Sequence, residues 1–256
     1  MSASSFLGES WAMTRRNLTH TLRSPDAIIV TIALPVLMLL LFVYVLGGAM
    51  NVGTSYLSYV VPGIILLCAG VGAGATAPNV TADVTTGFMA RFRTLPVARS
   101  ALLVGHIAES LLRNIITTAI VIGIAVGIGY RADATAIQWC AALGVVVLFV
   151  LALTIVAVAL GLLAKTPVAA QGFTFFLIFL PYLSSAFVPT DTMPHALRLF
   201  AQHQPATPII ETVRDLLDGA APGHTLLVAL SWCAGIASVG FIAASALFTR
   251  RTTSSP

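Results

Sequence analysis

Residues 27–46 of the chain read AIIVTIALPVLMLLLFVYVL, and residues 57–78 read LSYVVPGIILLCAGVGAGATAP. No charged residue occurs anywhere between positions 27 and 82. An α-helix needs roughly 20 apolar residues to cross the hydrocarbon core of a bilayer, so each stretch is long enough to span it. The glycine-rich segment 47–53 between them is a turn signal. The sequence therefore predicts a hairpin of two transmembrane helices.

The composition of the whole chain agrees with this prediction. Of its 256 residues, 58% are hydrophobic and only 9% are charged, which is typical of an integral membrane protein and not of a soluble domain. The chain contains no long polar block that would form a separate soluble domain of the usual size. Its net charge of +4 is better explained by arginines that set membrane topology than by nucleic-acid binding. Three cysteines in apolar stretches are interpreted as packing residues.

Apolar segments recur along the chain, and we predict one domain, residues 1–256, that is all-α and has six transmembrane helices. The predicted spans are 27–46, 57–78, 104–128, 137–163, 168–187 and 225–248. The helical spacing of Leu7, Trp11, Leu18 and Leu22 predicts an amphipathic interfacial helix over residues 1–25. Within the polar segment 188–224, one short helix is predicted to begin at Pro194 and another at Thr207-Pro208.

The distribution of basic residues predicts the topology. With both termini in the cytoplasm, nine basic residues lie in inner segments and three in outer segments, as the positive-inside rule requires. The inner nine are Arg15, Arg16, Arg23, Arg91, Arg93, Arg99, Lys165, Arg250 and Arg251, and the outer three are Arg131, Arg198 and Arg214.

The predicted inner loop 79–100 carries the most cationic stretch of the chain, RFRTLPVAR at residues 91–99. It lies between two predicted spans, so it offers a soluble partner a cytoplasmic surface. Phe92 and Leu95 have the character of residues that anchor in a partner's pocket, and Arg91, Arg93 and Arg99 could pair with acidic groups around such a pocket.

Two charges fall within the third predicted span. Glu109 and Arg113 are one helical turn apart and can pair on one face of the helix. Ionisable residues inside a membrane are functional candidates, and His106 could join them in a proton relay. The alternative, which we favour, is that the pair lies at the inner interface with the Arg113 side chain extended towards water.

The fifth predicted span is rich in aromatic residues. Phe173, Phe176, Phe179 and Tyr182 could line a path for an apolar, planar substrate. The alternative is that these rings face lipid or the protein core.

The sequence offers no cluster of residues typical of an enzyme active site. A phosphate-binding P-loop requires the pattern GxxxxGK[ST], but Lys165 is the only lysine and Ala164 stands where the glycine is needed. We therefore expect no cofactor on this chain, and any ATP must be bound and hydrolysed by a partner.

The chain resembles, over nearly its whole length, the membrane subunit of type-2 ABC exporters, the group that includes daunorubicin- and doxorubicin-resistance permeases. The resemblance lies in the six spans, the N-terminal amphipathic helix and several motifs. These motifs are RFRTLPVARS at 91–100, LLRN at 111–114, SSAFVP at 184–189, Met193-Pro194, QPATP at 204–208, and the segment from Arg214 to Gly219. One departure is Ala90, where the family would lead us to expect an acidic residue.

This resemblance implies a bacterial inner-membrane exporter of hydrophobic drugs or lipid-like molecules. Two permease chains, identical or related, would associate with two ATP-binding subunits that hold ATP and magnesium. Segment 79–100 would be the coupling helix, with Arg91, Phe92, Arg93, Leu95, Pro96 and Arg99 seated in a groove of the ATPase.

Three other functions are open at this stage. The first is a permease for cell-envelope polysaccharide or lipid precursors, which belongs to the same family and differs only in its substrate. The second is a proton-driven secondary transporter, which would need Glu109, His106 or Arg113 as relay groups and would commonly show internal repeats. The third is a membrane-embedded enzyme or scaffold, for which the sequence offers no catalytic constellation.

Overall fold

The computed structural model describes residues 3–50, 55–85 and 99–253. These residues form helices and turns, and no strand occurs among them. In chain order the α-helices are α1 (Ala3–Leu22), α2 (Pro25–Leu40), α3 (Tyr56–Gly74), α4 (Thr76–Thr85), α5 (Arg99–Gly127), α6 (Ala136–Leu163), α7 (Pro167–Phe179), α8 (His195–His203), α9 (Ala206–Leu217) and α10 (His224–Thr253). A π-helix, Leu41–Leu46, extends α2, and a 3-10 turn, Leu180–Leu183, extends α7. The prediction of an all-helical protein is confirmed.

Several of these helices are long and apolar enough to cross a membrane. Within the described part of the chain there are five such segments, namely Ile28–Ala49, Tyr56–Thr85, Ala101–Gly127, Ala136–Leu163 and His224–Arg250. The remaining predicted span, 168–187, is shorter than expected, with an apolar helix only over Pro167–Leu183. Pro181 explains the early change to a 3-10 turn, because a proline has no N–H to continue the α-helical ladder.

Helix α3 forms the centre of the bundle. Its side chains from Val60 to Gly74 are buried all around the helix, as expected for a helix that is apolar on every face. Side chains from α2, α5, α6, α7 and α9 pack around α3 and complete the main hydrophobic core. The most hydrophobic part of the sequence is therefore enclosed by the rest of the chain.

The second predicted span ends too early in the sequence, and the predicted inner loop therefore also begins too early. We expected the helix to end at residue 78 and a loop to begin at 79, but the structure interrupts the helix at Ala75 and then continues as α4 to Thr85. The reason is Pro78, which breaks the hydrogen-bond ladder of α3 but is tolerated in the first turn of a new helix. Helix α5 also begins earlier than expected, at Arg99 and not at residue 104.

Helix α7 and the turn after it run antiparallel to α3 at close range. Thr174 lies beside Gly74 near the end of α3, and Ala186 lies beside Gly63, three turns earlier. A β-carbon placed on Gly63 would fall 2.6 Å from the Ala186 Cβ, and one on Gly70 would fall 2.9 Å from a backbone oxygen of α7. The absence of a side chain at these two glycines is therefore what allows the two segments to approach so closely.

The N-terminal helix α1 packs against α5 with its small polar face, and its apolar face is exposed. The small polar residues Ser10, Thr14 and Asn17 are buried, whereas Trp11 is 70% exposed and Leu22 is also exposed. A helix that turns its polar face to the protein and its apolar face outward fits a position at the edge of a bilayer. The interfacial location that we predicted for residues 1–25 stays a prediction.

The segment between α7 and α10 contains two short helices. Helix α8 begins directly after Pro194, whereas α9 begins at Ala206, so Thr207 is not the N-cap that we expected. The Gln204 side chain takes the place of Thr207: it accepts a hydrogen bond at 3.1 Å from the Ala206 amide, one of the N–H groups at the start of the helix that have no partner within it. The Thr207 hydroxyl is thereby left to accept a hydrogen bond from the Ser185 amide at 3.3 Å.

Candidate functional site

An ion-pair cluster joins α1, α4 and α5. The Asp83 carboxylate, near the end of α4, accepts two hydrogen bonds from the Arg16 guanidinium of α1, at 2.7 and 2.9 Å. The Nε2 atom of His106, on α5, lies 3.0 Å from the same carboxylate. We call these three residues the Asp83 cluster. A bidentate arginine–carboxylate contact of this kind fixes orientation as well as distance.

The Asp83 cluster lies on both sides of segment 86–98. Asp83 precedes this segment by three residues, and His106 follows it in the second turn of α5. The cluster therefore holds together the two helices that lead into and out of the segment, and it attaches α1 to both of them. Neither Asp83 nor Arg16 was among the site residues that we predicted, although Asp83 is the first charged residue after the long uncharged stretch.

The predicted pair Glu109–Arg113 is formed and enclosed. Arg113 Nη1 donates to Glu109 Oε1 at 2.5 Å, and Thr21 of α1 donates to the same oxygen at 2.9 Å. Arg113 Nη2 also donates to the Gly72 carbonyl of α3 at 2.8 Å. The two side chains are only 1% and 9% exposed, respectively, so Arg113 does not extend to the surface as our favoured interpretation supposed. The physical reason is that α1, α3 and α4 cover this face of α5.

The structure places the remaining predicted site residues as follows. Arg91, Phe92, Arg93, Leu95 and Pro96 lie outside the described residues, and so does the side chain of Arg99, whose backbone begins α5. Their assignment to ATPase coupling stays a prediction. Among residues 3–50, 55–85 and 99–253, no group of three histidine, cysteine or acidic side chains is arranged to hold a metal ion.

Part of the predicted aromatic path forms a series of ring contacts. Phe175, Phe179, Tyr182 and Phe187 follow one another, with successive ring centroids 4.6, 5.7 and 5.2 Å apart. Phe187 then stacks on Phe42, the second residue of the π-helix, with the ring centroids 4.1 Å apart. We call these five rings the aromatic ladder.

The other two predicted path residues, Phe173 and Phe176, are not among the five rings of the aromatic ladder. Phe173 and Phe176 both have exposed side chains, and that of Phe176 is 76% exposed. The sequence therefore identified the aromatic helix but did not identify which of its rings are brought together.

A second polar cluster ties the start of α3 to the turn after α7. Arg214 Nη2, on α9, donates to the carbonyl oxygens of Tyr59 at 3.1 Å and Ser185 at 2.9 Å. The guanidinium also lies 3.9 Å from the centroid of the Tyr59 ring, a cation–π contact. Burial lowers the pKa of Arg214 and raises that of the neighbouring Glu211. We call this arrangement the Arg214 clasp, which the sequence analysis did not predict.

A family model described as ABC-2 type transporter matches residues 9–217, from α1 to the last residue of α9. The chain belongs to the ABC-2 type transporter family. The resemblance seen in the sequence is thus confirmed, and with it a multi-pass membrane protein that works as the permease subunit of an ABC transporter. Membership in this family implies an ABC ATPase as partner and a dimeric arrangement in the membrane.

Two relatives extend the match beyond the family model. The chain is 27% identical over 231 residues to the daunorubicin resistance ABC transporter permease protein DrrB1 of Streptomyces coeruleorubidus, covering 87% of this chain and 82% of the relative. It is 28% identical over 236 residues to the probable doxorubicin resistance ABC transporter permease protein DrrC of Mycobacterium tuberculosis, covering 91% of this chain and 86% of the relative.

Proposed function

We propose that this ABC-2 permease exports hydrophobic drugs or lipid-like molecules, using ATP that a separate subunit binds with magnesium and hydrolyses. The observation that carries the proposal is the similarity, along more than four-fifths of the chain, to permeases named for resistance to daunorubicin and doxorubicin. The chain itself would contribute the membrane path and the surface on which the ATPase acts.

The Asp83 cluster supports a coupling role for segment 79–100. The ATPase would contact the side chains that we assign to coupling, namely Arg91, Phe92, Arg93, Leu95, Pro96 and Arg99. A displacement of this segment would act on α4 and α5 together, because Asp83 and His106 join them at 3.0 Å. It would also move α1, because Arg16 is bound to the same carboxylate. Three helices would thus respond to the ATPase as one unit.

The packing of α7 supports six membrane crossings. The chain around Ala164 and Ala170 packs with Ala77 of α4, and further on Phe187 accepts a hydrogen bond from Tyr56 at 3.1 Å. Helix α7 and its extension thus accompany α3 and α4 from residue 77 to residue 56. At 1.5 Å per residue this distance is about 30 Å, the thickness of the hydrocarbon core. A segment that follows a crossing helix over this distance would cross the bilayer as well.

The proposed assembly contains two permease chains, identical or related, and two ATPase subunits. It would lie in the bacterial inner membrane with both termini in the cytoplasm, the orientation that the basic residues favour. The aromatic ladder would offer planar substrates successive ring faces. Phe173 and Phe176, which are exposed in the isolated chain, would contribute to the path from the side of α7.

The test is to isolate the complex and measure transport. The tagged chain should co-purify with an ABC ATPase, and inside-out vesicles should accumulate daunorubicin when ATP is added. Reversing one charge of the coupling segment, Arg93→Glu, should remove the ATPase and the transport, whereas Arg93→Lys, which keeps the charge, should retain both. Transport that is driven by a proton gradient and is indifferent to ATP would refute the proposal in favour of a secondary transporter.

A further inference from the structure

The exposed face of α1 combines basic and apolar side chains. Arg15, Thr19 and Arg23 follow one another at intervals of four residues and form a row along the helix. The exposed side chains of Trp11 and Leu22 lie next to this row, three helical turns apart. The row and Trp11 line an open groove of about 790 Å³ on the surface of α1.

The two arginines of this row carry positive charge that the described part of the chain does not balance. Both side chains are exposed, and neither guanidinium has an ion-pair partner among the described residues. The nearest acidic residues in the sequence are Glu9 and Asp26, and neither of them lines the groove. The groove therefore presents a surface on which an anion would be stabilised.

Contacts on the other faces of α1 fix the direction in which this groove points. Ser10, Thr14 and Asn17 are buried on the side that packs against α5. Arg16 is held by the Asp83 carboxylate of α4 through two hydrogen bonds. Because these contacts prevent rotation of the helix, the basic row stays on the outward side.

The spacing within the row leaves room for a single anionic group. Arg15 and Arg23 are eight residues apart (23 − 15), about 12 Å along the helix. Thr19 lies midway between them and has a small side chain. Its hydroxyl already donates to the Arg15 carbonyl at 2.8 Å, so the charged donors for an anion are the two guanidinium groups. Both are long side chains that can turn towards a group above Thr19.

The groove lies at the level of a bilayer surface. Helix α2 begins at Pro25, and the first candidate membrane span begins at Ile28, five residues after Arg23 (28 − 23). Phospholipid phosphates occupy this level, and their acyl chains begin below it. A free anion in water would use only the arginines and leave Trp11 and Leu22 exposed, whereas a phospholipid matches both the basic and the apolar part of the face.

We propose that this face of α1 selects anionic phospholipids: the head-group phosphate binds between Arg15 and Arg23, and the acyl chains lie against Trp11 and Leu22. Phosphatidylglycerol carries only the negative charge. Phosphatidylcholine has the same phosphate, but its choline group adds a positive charge that the arginines repel. The proposal gives the predicted interfacial helix a lipid class, and it does not depend on which substrate is exported.

Lipids with bromine on their acyl chains test this selection, because bromine quenches tryptophan fluorescence at short range. The full chain, with any ATPase that accompanies it, would be held without nucleotide in nanodiscs of one fixed mixture of phosphatidylglycerol and phosphatidylcholine. Bromine is placed on one lipid or on the other, in equal amounts, so the membrane charge is constant. The signal of Trp11 is the difference between this protein and its Trp11→Phe variant.

We expect brominated phosphatidylglycerol to be enriched at Trp11 over brominated phosphatidylcholine by about fivefold for each arginine, the effect of one basic residue at a membrane surface. At about 1 M salt, where the screening length is about 3 Å, most of this preference should disappear.

Three double variants locate the site. Arg15→Gln/Arg23→Gln should remove the preference but leave Trp11 quenched by both lipids, which shows that α1 still lies on the bilayer. Arg15→Lys/Arg23→Lys keeps the charge and should keep most of the preference. Arg131→Gln/Arg198→Gln removes the same amount of charge from the loop after α5 and from α8. It is the matched control and should leave the preference unchanged.

Three results would overturn the proposal. Equal quenching by the two lipids in the unmodified chain would show a helix that lies on any bilayer without selection. A preference that survives Arg15→Gln/Arg23→Gln would place its origin elsewhere. Absence of Trp11 quenching by either lipid would show that a protein, either the ATPase or a second copy of the chain, covers this face. Because the measurement uses no nucleotide, each of these results would leave the export proposal intact, and loss of ATP-driven transport would leave the lipid selection standing.

Discussion

The enclosed pair Glu109–Arg113 leads to a prediction that can be quantified. Replacing Arg113 by leucine leaves the Glu109 carboxylate buried, with only the Thr21 hydroxyl as partner. Removing one member of a buried ion pair typically destabilises a protein by about 3–5 kcal/mol, because the remaining charge is uncompensated. We therefore expect Arg113→Leu to lower the stability of the chain by this amount.

Removing both charges should be less harmful than removing one. The double variant Glu109→Leu/Arg113→Leu has no unpaired charge, but the Gly72 carbonyl and the Thr76 hydroxyl each lose a donor and the Thr21 hydroxyl loses an acceptor. At about 0.5–1 kcal/mol for each of these hydrogen bonds, the expected loss is about 2 kcal/mol. The second substitution should thus restore about 1–3 kcal/mol to the single variant.

Thermal unfolding of the purified chain in detergent is the assay. With about 2–4 °C for each kcal/mol at this chain length, Arg113→Leu should lower the Tm by about 6–20 °C and the double variant by about 4–8 °C. A double variant that unfolds no later than Arg113→Leu would refute the reasoning. It would mean that the Glu109 carboxylate is compensated by something other than Arg113.

Three further predictions concern other parts of the fold. Asp83→Asn removes the charge that holds α1, so amide hydrogen exchange within α1 should become about tenfold faster, while exchange in α10 is unchanged. Exchange in α1 as slow as in the unmodified protein would contradict the assignment. Gly63→Ala places a β-carbon 2.6 Å from that of Ala186 and should lower the free energy of unfolding by about 1–3 kcal/mol. Gly144→Ala, where space is open, is its control and should be neutral or stabilising. Burial raises the pKa of Glu211 in the folded state, so its contribution to stability is present at acidic pH and is lost as the pH rises through that raised pKa. Glu211→Gln should therefore raise the Tm at neutral pH and reduce the decline in Tm that begins as the pH rises above the ordinary glutamate pKa of about 4.3. An unchanged pH profile of the Tm would speak against this origin.

Local sequence patterns account for much of the architecture. The uncharged stretch 27–82 is long and apolar, and the structure has candidate spans in both of its halves. Glu109 and Arg113 pair because one helical turn brings their side chains to the same face, which their spacing alone indicates. These features depend only on neighbours within one helix.

The parts that were missed depend on contacts between distant segments. Arg16 and Asp83 are 67 residues apart, and nothing in either local sequence indicates that they meet. The Arg214 clasp likewise joins α9 to Tyr59, 155 residues away. The second predicted span ended too early because the sequence turns polar after Pro78, whereas the helix resumes and continues to Thr85. The fifth ended too late because hydropathy continues past Pro181, whereas the backbone there changes to a 3-10 turn.

The contacts of α1 have a consequence for how the protein is made. Its partners Asp83 and Glu109 follow Arg16 and Thr21 by 67 and 88 residues, respectively. At a synthesis rate of about 5–20 residues per second, the polar face of α1 stays unpaired for roughly 4–18 s after the helix has left the ribosome. During this interval its apolar face, with Trp11, can hold it on the membrane surface. If the ribosome is arrested before α5 is made, α1 should therefore be attached to the bilayer with its polar face accessible to chemical labelling. Once synthesis continues through α5, that face should become protected from the label.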